Sequence, residues 1–236
     1  MNRSLPASTL AALMLVTSLV TIPTLSPALA ADKPADKPAT QTAAPAASTD
    51  PVPAGAYTLD KAHASLVFRL SHLGFSHYTA RFTKYDAQLQ FDPAHPEASR
   101  VTVTIDPKSI DADGAPEGFM ATLAGPQWLD AAKYPAITYR STRVEKVGSH
   151  GLRISGELEL HGVRKPVTLN AAYNGGYASH PFEPRARIGF SAQGTLKRSE
   201  FGMGFGTPAP GSTFGVGDDL EIVIECEFSG PETNKP

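Results

Sequence analysis

The sequence predicts an all-β fold of roughly eight or nine antiparallel strands, and three observations support this prediction. Residues 152–160 alternate apolar and polar side chains with a period of two, which is typical of a half-buried strand. Gly162 and Pro166 interrupt the pattern before Val167 restarts it, which indicates a hairpin. Similar alternating runs recur along the chain, and so many strands must protect their edges by closing into a barrel or by stacking as two sheets.

The first 55 residues are predicted to precede the folded domain. Residues 1–30 combine Arg3, a long uncharged apolar run and a small-residue site at Ala28 and Ala30, which is typical of a signal peptide cleaved after Ala30. A transmembrane anchor is the alternative, and it is disfavoured because proline and threonine interrupt the run. Residues 31–55 are rich in Ala, Pro and Lys and predict a disordered linker. We therefore expect an exported protein.

Residues 56–229 have the length of one domain with a substantial core, and a flexible tail is predicted at 230–236. The first strand is predicted to begin at Tyr57 and to continue through Leu70, with its apolar side chains on one face. The later strands are predicted, in chain order, at 82–91, 101–105, 137–147, 152–160, 167–177, 185–196 and 220–228.

One apolar segment, residues 116–133, lacks the two-residue period. It is predicted to form one or two short helical turns, with Pro126 at a first helical position. A segment this apolar is not expected to lie free in water. We therefore expect a short helical cap that closes one end of the strand assembly or lines its mouth.

The composition limits the partners and the chemistry. With 21 Lys and Arg against 23 Asp and Glu, the chain is not basic enough to indicate nucleic-acid binding. Cys226 is the only cysteine, so an internal disulfide cannot form. It shares its parity with the apolar residues of the last strand, which predicts a buried thiol rather than a nucleophile.

The sequence lacks the motifs expected of an enzyme or a metal site. The glycines at 202, 204 and 206 do not have the spacing of a nucleotide-binding fingerprint, and they indicate a loop that could gate a barrel. His63, His72 and His77 form the only local histidine group, and no cysteine or helical His-x-x-x-His pair accompanies them. We therefore expect no metal site, no catalytic residues and no enzymatic activity.

Several small residues occur where a packed core would place leucine or isoleucine. They are Gly156, Ala171, Ala192 and Gly194, all on the inner parity of their strands. An eight-stranded barrel is wide enough either to fill with side chains or to hold one small ligand. The small residues favour a hollow apolar interior over a filled one, although they also occur at bulges that bend strands.

Short motifs spread along the chain resemble those of the YceI-like family. They are YTLD with His63 and Ser65, HLG at 72–74, KYPAI at 133–137, GELELHGVRKPVTL at 156–169, KRSEFGM at 197–203 and VGD at 216–218. They occur in the family's order and cover essentially all of residues 56–228. One departure is FMATL at 119–123, where many relatives have a charged Arg-Asp-x-His-Leu run.

The resemblance implies an eight-stranded antiparallel lipocalin-like barrel with a short helical cap, located in the periplasm of a Gram-negative bacterium. It implies that the interior binds a polyisoprenoid, an isoprenoid quinone or a similar long-chain amphiphile as ligand, without a catalytic cofactor. A homodimer is known among such proteins. Uncharged residues at 119–123 put a shared head-group contact there in doubt.

We therefore expect a carrier or scavenger with an apolar-tailed small molecule as its partner and with transient contact to a membrane or membrane protein. The alternatives are a filled-core interaction or stress-response protein and, less favoured, a metal-dependent hydrolase. The candidate residues for the apolar wall of the ligand site are Phe68, Leu70, Phe82, Phe119, Leu123, Trp128, Tyr139, Phe190, Phe201 and Met203.

Overall fold

Antiparallel strands dominate the computed structural model, which describes residues 51–233. Three 3-10 turns and one short α-helix connect them. The strands are β1 Gly55–His72, β2 Ser76–Phe82, β3 Tyr85–Phe91, β4 Arg100–Ile105, β5 Ile110–Asp111, β6 Ile137–Val147, β7 Gly151–Leu160, β8 Val163–Tyr177, β9 Arg185–Lys197 and β10 Val216–Glu232. The helix α1 is Phe119–Leu123, and the 3-10 turns are Pro96–Ala98, Pro107–Ser109 and Arg198–Phe201.

Eight of these strands close into a barrel, which confirms the predicted fold class. Neighbouring strands run in the order β1, β3, β4, β6, β7, β8, β9, β10, and β10 pairs again with β1. The long strand β1 makes the closure because it pairs with β3 through residues 55–58 and with β10 through residues 58–72. Its residues 67–72 also pair with β2. Strand β5 extends β2 outside the ring. Closure leaves no long exposed edge in the ring, which is the physical requirement for so many strands.

The strand predicted at 82–91 begins later than predicted, because only residues 85–91 form β3 and residue 82 ends a separate strand, β2. Strand β2 ends at Phe82, β3 begins at Tyr85, and the chain turns between them, where the Thr83 amide donates to the Ser109 carbonyl at 3.0 Å. Alternating side chains continue across the turn, so the period of two did not reveal it. Strand β2 was missed because its sequence, SHYTARF, is mostly polar and much of it is exposed.

The hairpin between β7 and β8 is tighter than predicted. Its turn consists of His161 and Gly162, whose φ values of 54° and 73° are those of a two-residue type I′ turn. Strand β8 therefore starts at Val163 and includes Pro166, which was predicted to lie in the connection. Proline is tolerated there because pairing of β8 with β9 begins only at Leu169, so no β9 carbonyl needs its missing amide.

The predicted cap segment contains one short helix, which is within the predicted one or two helical turns. Helix α1 follows Gly118, whose φ is 77°, and ends at Leu123. Pro126 does not begin a second helix. It lies in a turn closed by the hydrogen bond from the Trp128 amide to the Gly125 carbonyl at 3.1 Å.

Both predicted domain boundaries lie inside the barrel. Val52 packs against the core and Gly55 pairs with Phe91, although residues 51–55 were predicted to belong to the linker. Strand β10 continues to Glu232, and the Thr233 hydroxyl donates to the Ala178 carbonyl at 3.1 Å, although a tail was predicted from residue 230. The predicted signal peptide, most of the linker and residues 234–236 lie outside the described residues.

Within residues 51–233, no helix has the length and apolar character needed to cross a membrane.

Candidate functional site

The barrel interior contains two apolar cavities. The larger, of about 340 Å³, is lined by residues near the α1 end, including Leu220 and Ile222 of β10. The smaller, of about 120 Å³, lies further along the barrel, where Ile224 and Phe228 of the same strand line it. Leu66 lines both cavities. The interior is therefore partly hollow.

Seven of the ten predicted wall residues come together around the larger cavity. Helix α1 and the turn after it supply three of them, and β1, β2 and the chain after β9 supply the others. These seven are Phe68, Leu70, Phe82, Phe119, Leu123, Trp128 and Met203.

The other three predicted wall residues lie elsewhere. Tyr139 and Phe190 line the smaller cavity, because their strands place them further along the barrel. Phe201, which is only 1% exposed, packs into the core beside Met203 and does not line either cavity. It lies in the 3-10 turn after β9, whose direction the strand period does not predict.

The four small inner residues have two different roles. Ala171 and Ala192 line the smaller cavity, as expected of a hollow interior. Gly156 does not leave space, because a Cβ at that position would lie 2.4 Å from Cζ of Tyr139. The side chain of Leu169 likewise fills the space beside Gly194. Neighbouring large side chains therefore occupy half of the positions that indicated room.

Sequence reasoning missed several apolar residues of the larger cavity. The alternating pattern could have identified most of them, because they lie on the apolar parity of strands that the sequence predicted. They are Leu66, Ile105, Ile137, Leu158, Leu160, Leu196, Leu220 and Ile222. Tyr78 and Arg198 also line the cavity, and no pattern in the sequence marked them as interior.

Arg198 is a buried cation at the α1 end of the larger cavity. It is 2% exposed, and its guanidinium carbon lies 5.3 Å from the centre of the Trp128 ring. The guanidinium donates to four backbone carbonyls: Gly217 at 2.8 Å, Met203 at 2.6 Å, Phe205 at 2.9 Å and Val216 at 2.8 Å. Burial lowers the pKa of this guanidinium. These bonds anchor both ends of the loop that was predicted as a gate.

Two other polar side chains line this end of the cavity. Tyr78 packs edge-to-face on Phe119 with ring centres 6.1 Å apart, and its hydroxyl is buried with no hydrogen-bond partner among residues 51–233. His72 pairs across β1 and β10 with Val216, whose carbonyl binds Arg198. The remaining lining side chains are apolar apart from the indole nitrogen of Trp128.

Cys226 faces the smaller cavity, as its parity predicts. Its Sγ lies 3.6 Å from the Phe190 carbonyl oxygen, and burial raises the pKa of the thiol to about 12. The thiol is therefore protonated at neutral pH. A protonated thiol is a poor nucleophile, so the residue suits a wall position better than a catalytic one.

Asp60, His63 and Glu227 form a charged cluster on the outside of the barrel. Their potential metal-ligand atoms lie within 4.8 Å of one another, but Arg187 donates to both carboxylates. Hydrogen bonds from Arg187 and His63 lower the pKa of Asp60 to about 2. A guanidinium already neutralises this cluster, so the arrangement fits an ion-pair network that joins β1, β9 and β10.

Comparison with known proteins gives consistent matches. The model of the YceI-like domain matches residues 57–228. A UPF0312 protein of Vibrio cholerae is 36% identical over 149 residues, which cover 62% of this chain and 77% of that protein. The crystal structure of Burkholderia cenocepacia BcnA has a TM-score of 0.61 and 25% identity, and the match covers 72% of this chain and 98% of that one.

A structure described as a polyisoprenoid binding domain from Saccharophagus degradans also matches. Its TM-score is 0.50 at 16% identity, and the match covers 74% of this chain and 98% of that one, so the likeness concerns the fold. The family model includes residues of every strand of the ring and the α1 segment that lines the larger cavity. This chain belongs to the YceI-like family.

Proposed function

We propose that the protein is a carrier or scavenger that holds an apolar-tailed small molecule inside its barrel. The observation that carries the proposal is the larger cavity, about 340 Å³ in volume with an almost wholly apolar wall. Transfer of a chain from water into such a site gains about 0.8 kcal/mol per methylene-sized group. A few enclosed isoprene units would therefore outweigh the cost of association and give useful affinity.

The proposed ligand is a polyisoprenoid, an isoprenoid quinone or a similar long-chain amphiphile. Two arguments support this class: the family resemblance, and the name of the Saccharophagus degradans domain that shares the fold. The two cavities follow one another along the barrel and share Leu66, an arrangement suited to a long chain. The alternative of a filled-core interaction protein is disfavoured by the same cavities.

The proposal includes export to the periplasm and contact with a membrane during loading. Export is proposed from the sequence of residues 1–30. Membrane contact is supported by Phe75 and Phe214, which are 82% and 71% exposed. They lie on neighbouring loops, because the Leu73 amide donates to the Gly215 carbonyl at 2.7 Å beside the cavity residue Val216. Exposed aromatic side chains at a cavity mouth are well placed to enter a lipid surface.

The first experiment is mass spectrometry of an organic extract from protein purified without detergent. One stoichiometric species with isoprene-unit spacing is the expected result. Binding of an added isoprenoid quinone can be followed in parallel by fluorescence, because Trp128 is the only tryptophan and lines the cavity. An empty extract together with unquenched fluorescence would contradict the proposal.

A pair of variants tests whether the cavity is the binding site. Ile222→Phe enlarges a cavity-lining side chain of β10, so it should weaken quinone binding. Val223→Phe makes a comparable enlargement at the next residue, which points to the opposite face of the strand. Quinone binding should be weakened by the first change and retained after the second. Equal loss in both, or in neither, would place the binding site elsewhere.

A further inference from the structure

The barrel wall has a local break in its strand pairing beside β1. Pairing of β1 with β3 ends at Thr58, and pairing of β1 with β2 begins at Val67. Among the described residues, 59–66 therefore lie opposite 82–87 without ladder pairing. Strand β1 also bulges against β10 within the same stretch. We call this break, between residues 59–66 and 82–87, the β1–β3 slit.

An open cleft of about 710 Å³ lies at the slit, and its lining shares residues with both interior cavities. Phe82 borders the cleft and the larger cavity. Ser65 and Tyr85 border the cleft and the smaller cavity. Leu66 borders all three spaces. A single layer of residues therefore separates the apolar interior from solvent at this point.

An exposed ion pair spans the slit. Lys61 Nζ on β1 lies 2.7 Å from Asp86 Oδ2 on β3, and both side chains are more than half exposed. The backbone opposite β1 is bound away from it, because the Thr83 amide donates to the Ser109 carbonyl and the Lys84 amide donates to the Ser109 hydroxyl, both at 3.0 Å. Exposed ion pairs contribute little to stability. Separation of β1 from β3 at the slit therefore breaks few strong contacts.

The two ends of the barrel are held more firmly than the slit. At the α1 end, the buried Arg198 guanidinium donates to four backbone carbonyls, and hydrogen bonds from a charged donor are among the stronger ones. At the opposite end, Tyr57, Ala186 and Ile188 are at most 1% exposed within a packed core cluster. Widening either end breaks buried contacts, whereas widening the slit breaks an exposed ion pair.

We propose that the apolar chain of the ligand enters and leaves the cavities through the side of the barrel, at the β1–β3 slit, with the Lys61–Asp86 ion pair as its latch. The slit widens as β1 moves away from residues 82–87, and Leu66 moves aside. This inference rests on the proposed function, and it adds the route by which the ligand crosses the wall. Contact of the α1 end with a membrane is then a separate docking step.

The test bridges the slit covalently. Lys61→Cys with Asp86→Cys places two thiols where the ion pair was, and a bis-methanethiosulfonate reagent joins them. Lys197→Cys with Asp219→Cys is the matched control, because that ion pair is also exposed, has the same 2.7 Å distance and joins β9 to β10 where the two strands are paired. Cys226 is left in place, because its thiol pKa of about 12 makes it unreactive.

Release of a naphthoquinone with a geranylgeranyl chain is the quantity measured. The quinone is loaded before the thiols are bridged, the protein is mixed with excess quinone-free phosphatidylcholine vesicles, and the recovery of Trp128 fluorescence is followed. Relative to the same variant without the reagent, the slit bridge should slow release by about 10-fold or more, because local opening is blocked. The β9–β10 bridge should leave the rate unchanged. The final distribution of quinone between protein and vesicles should not change, because Lys61 and Asp86 line neither cavity.

Charge reversal gives an independent measurement. Lys61→Glu places two carboxylates across the slit, so it should speed release by about 2- to 5-fold. Lys197→Glu creates the same repulsion opposite Asp219, where the strands are already paired, and it should leave the release rate unchanged.

The possible outcomes separate the two proposals. If the slit bridge does not slow release, or if the β9–β10 bridge slows it equally, the side route is refuted and the carrier function stands. If Lys61→Glu leaves release unchanged or slows it, the latch is refuted. If the quinone does not bind wild-type protein, both proposals fail.

Discussion

Replacing Gly156 with alanine should destabilise the barrel by filling space that Tyr139 already occupies. A Cβ at position 156 would lie 2.4 Å from Cζ of Tyr139 and 2.6 Å from the carbonyl oxygen of Arg140. Real Cβ atoms do not approach other atoms so closely, so one of these groups must move. The Arg140 carbonyl belongs to the β6–β7 ladder and is held there, which leaves the tyrosine ring as the group that shifts.

The expected cost combines two effects. Overpacking a well-filled site typically costs about 1–3 kcal/mol. A displaced ring would also lose the bond from its hydroxyl to the Ile154 carbonyl at 3.0 Å, which contributes about 1 kcal/mol. The free energy of unfolding should therefore fall by about 2–4 kcal/mol. For a domain of this size, the melting temperature should fall by about 5–15 °C.

Gly189→Ala is the matched control. Gly189 also lies within a barrel strand, but a Cβ there would have no neighbour closer than 3.9 Å. Its replacement should leave stability unchanged or raise it by up to about 1 kcal/mol, because alanine restricts the unfolded chain. Thermal unfolding followed by circular dichroism measures both variants. If Gly156→Ala melts at the same temperature as Gly189→Ala, the argument that Tyr139 fills the glycine site is wrong.

Three other predictions follow from the same contacts. The hydrogen bonds from Arg187 and His63 give Asp60 a folded-state pKa of about 2, below its ordinary 3.8. The stabilisation that the Asp60 carboxylate contributes is therefore complete above about pH 4 and is lost as the pH falls towards 2. When urea unfolding is measured across this pH range, the free energy of unfolding should fall by about 2 kcal/mol less in Asp60→Asn than in wild type. Cys226, with a thiol pKa of about 12, should react with a thiol reagent at pH 8 only after denaturation, and rapid labelling of native protein would contradict its placement in the wall. Leu66→Ala should join the two cavities and shift the bound species towards longer chains in the extracted mass spectrum, at a stability cost of about 2 kcal/mol. An unchanged chain-length distribution would show that Leu66 does not separate the cavities.

The sequence alone determined which faces of most strands are buried. Strand β6 was predicted at 137–147 and occurs at Ile137–Val147, and β9 differs from its predicted range by one residue. Alternation of side chains is a local property of an extended backbone, so it can be read without knowledge of the neighbours. Where that local signal was absent, as in the polar strand β2, the prediction failed.

The same local information identified part of the candidate site. Phe68, Leu70 and Phe82 line the larger cavity because an apolar residue on the inner face of a barrel strand must either pack or border a space. The period of two does not say which of these outcomes applies. Gly156 and Ala171 looked alike in the sequence, yet Tyr139 fills the space beside one, and the other lines a cavity. The other four predicted residues that line the larger cavity lie outside the strands, in α1, in the turn after it and after β9.

Only the tertiary structure decided the closure of the barrel and the character of its polar end. Strands β1 and β10 pair although most of the chain separates them, and their pairing brings His72 beside Val216. Arg198 is a charged residue that any sequence pattern would place in water, and it is buried because two carbonyls of the following loop and two at the start of β10 converge on it. Contacts between residues far apart in the chain depend on how the strands are paired, and the apolar period of a single strand carries no information about its partner.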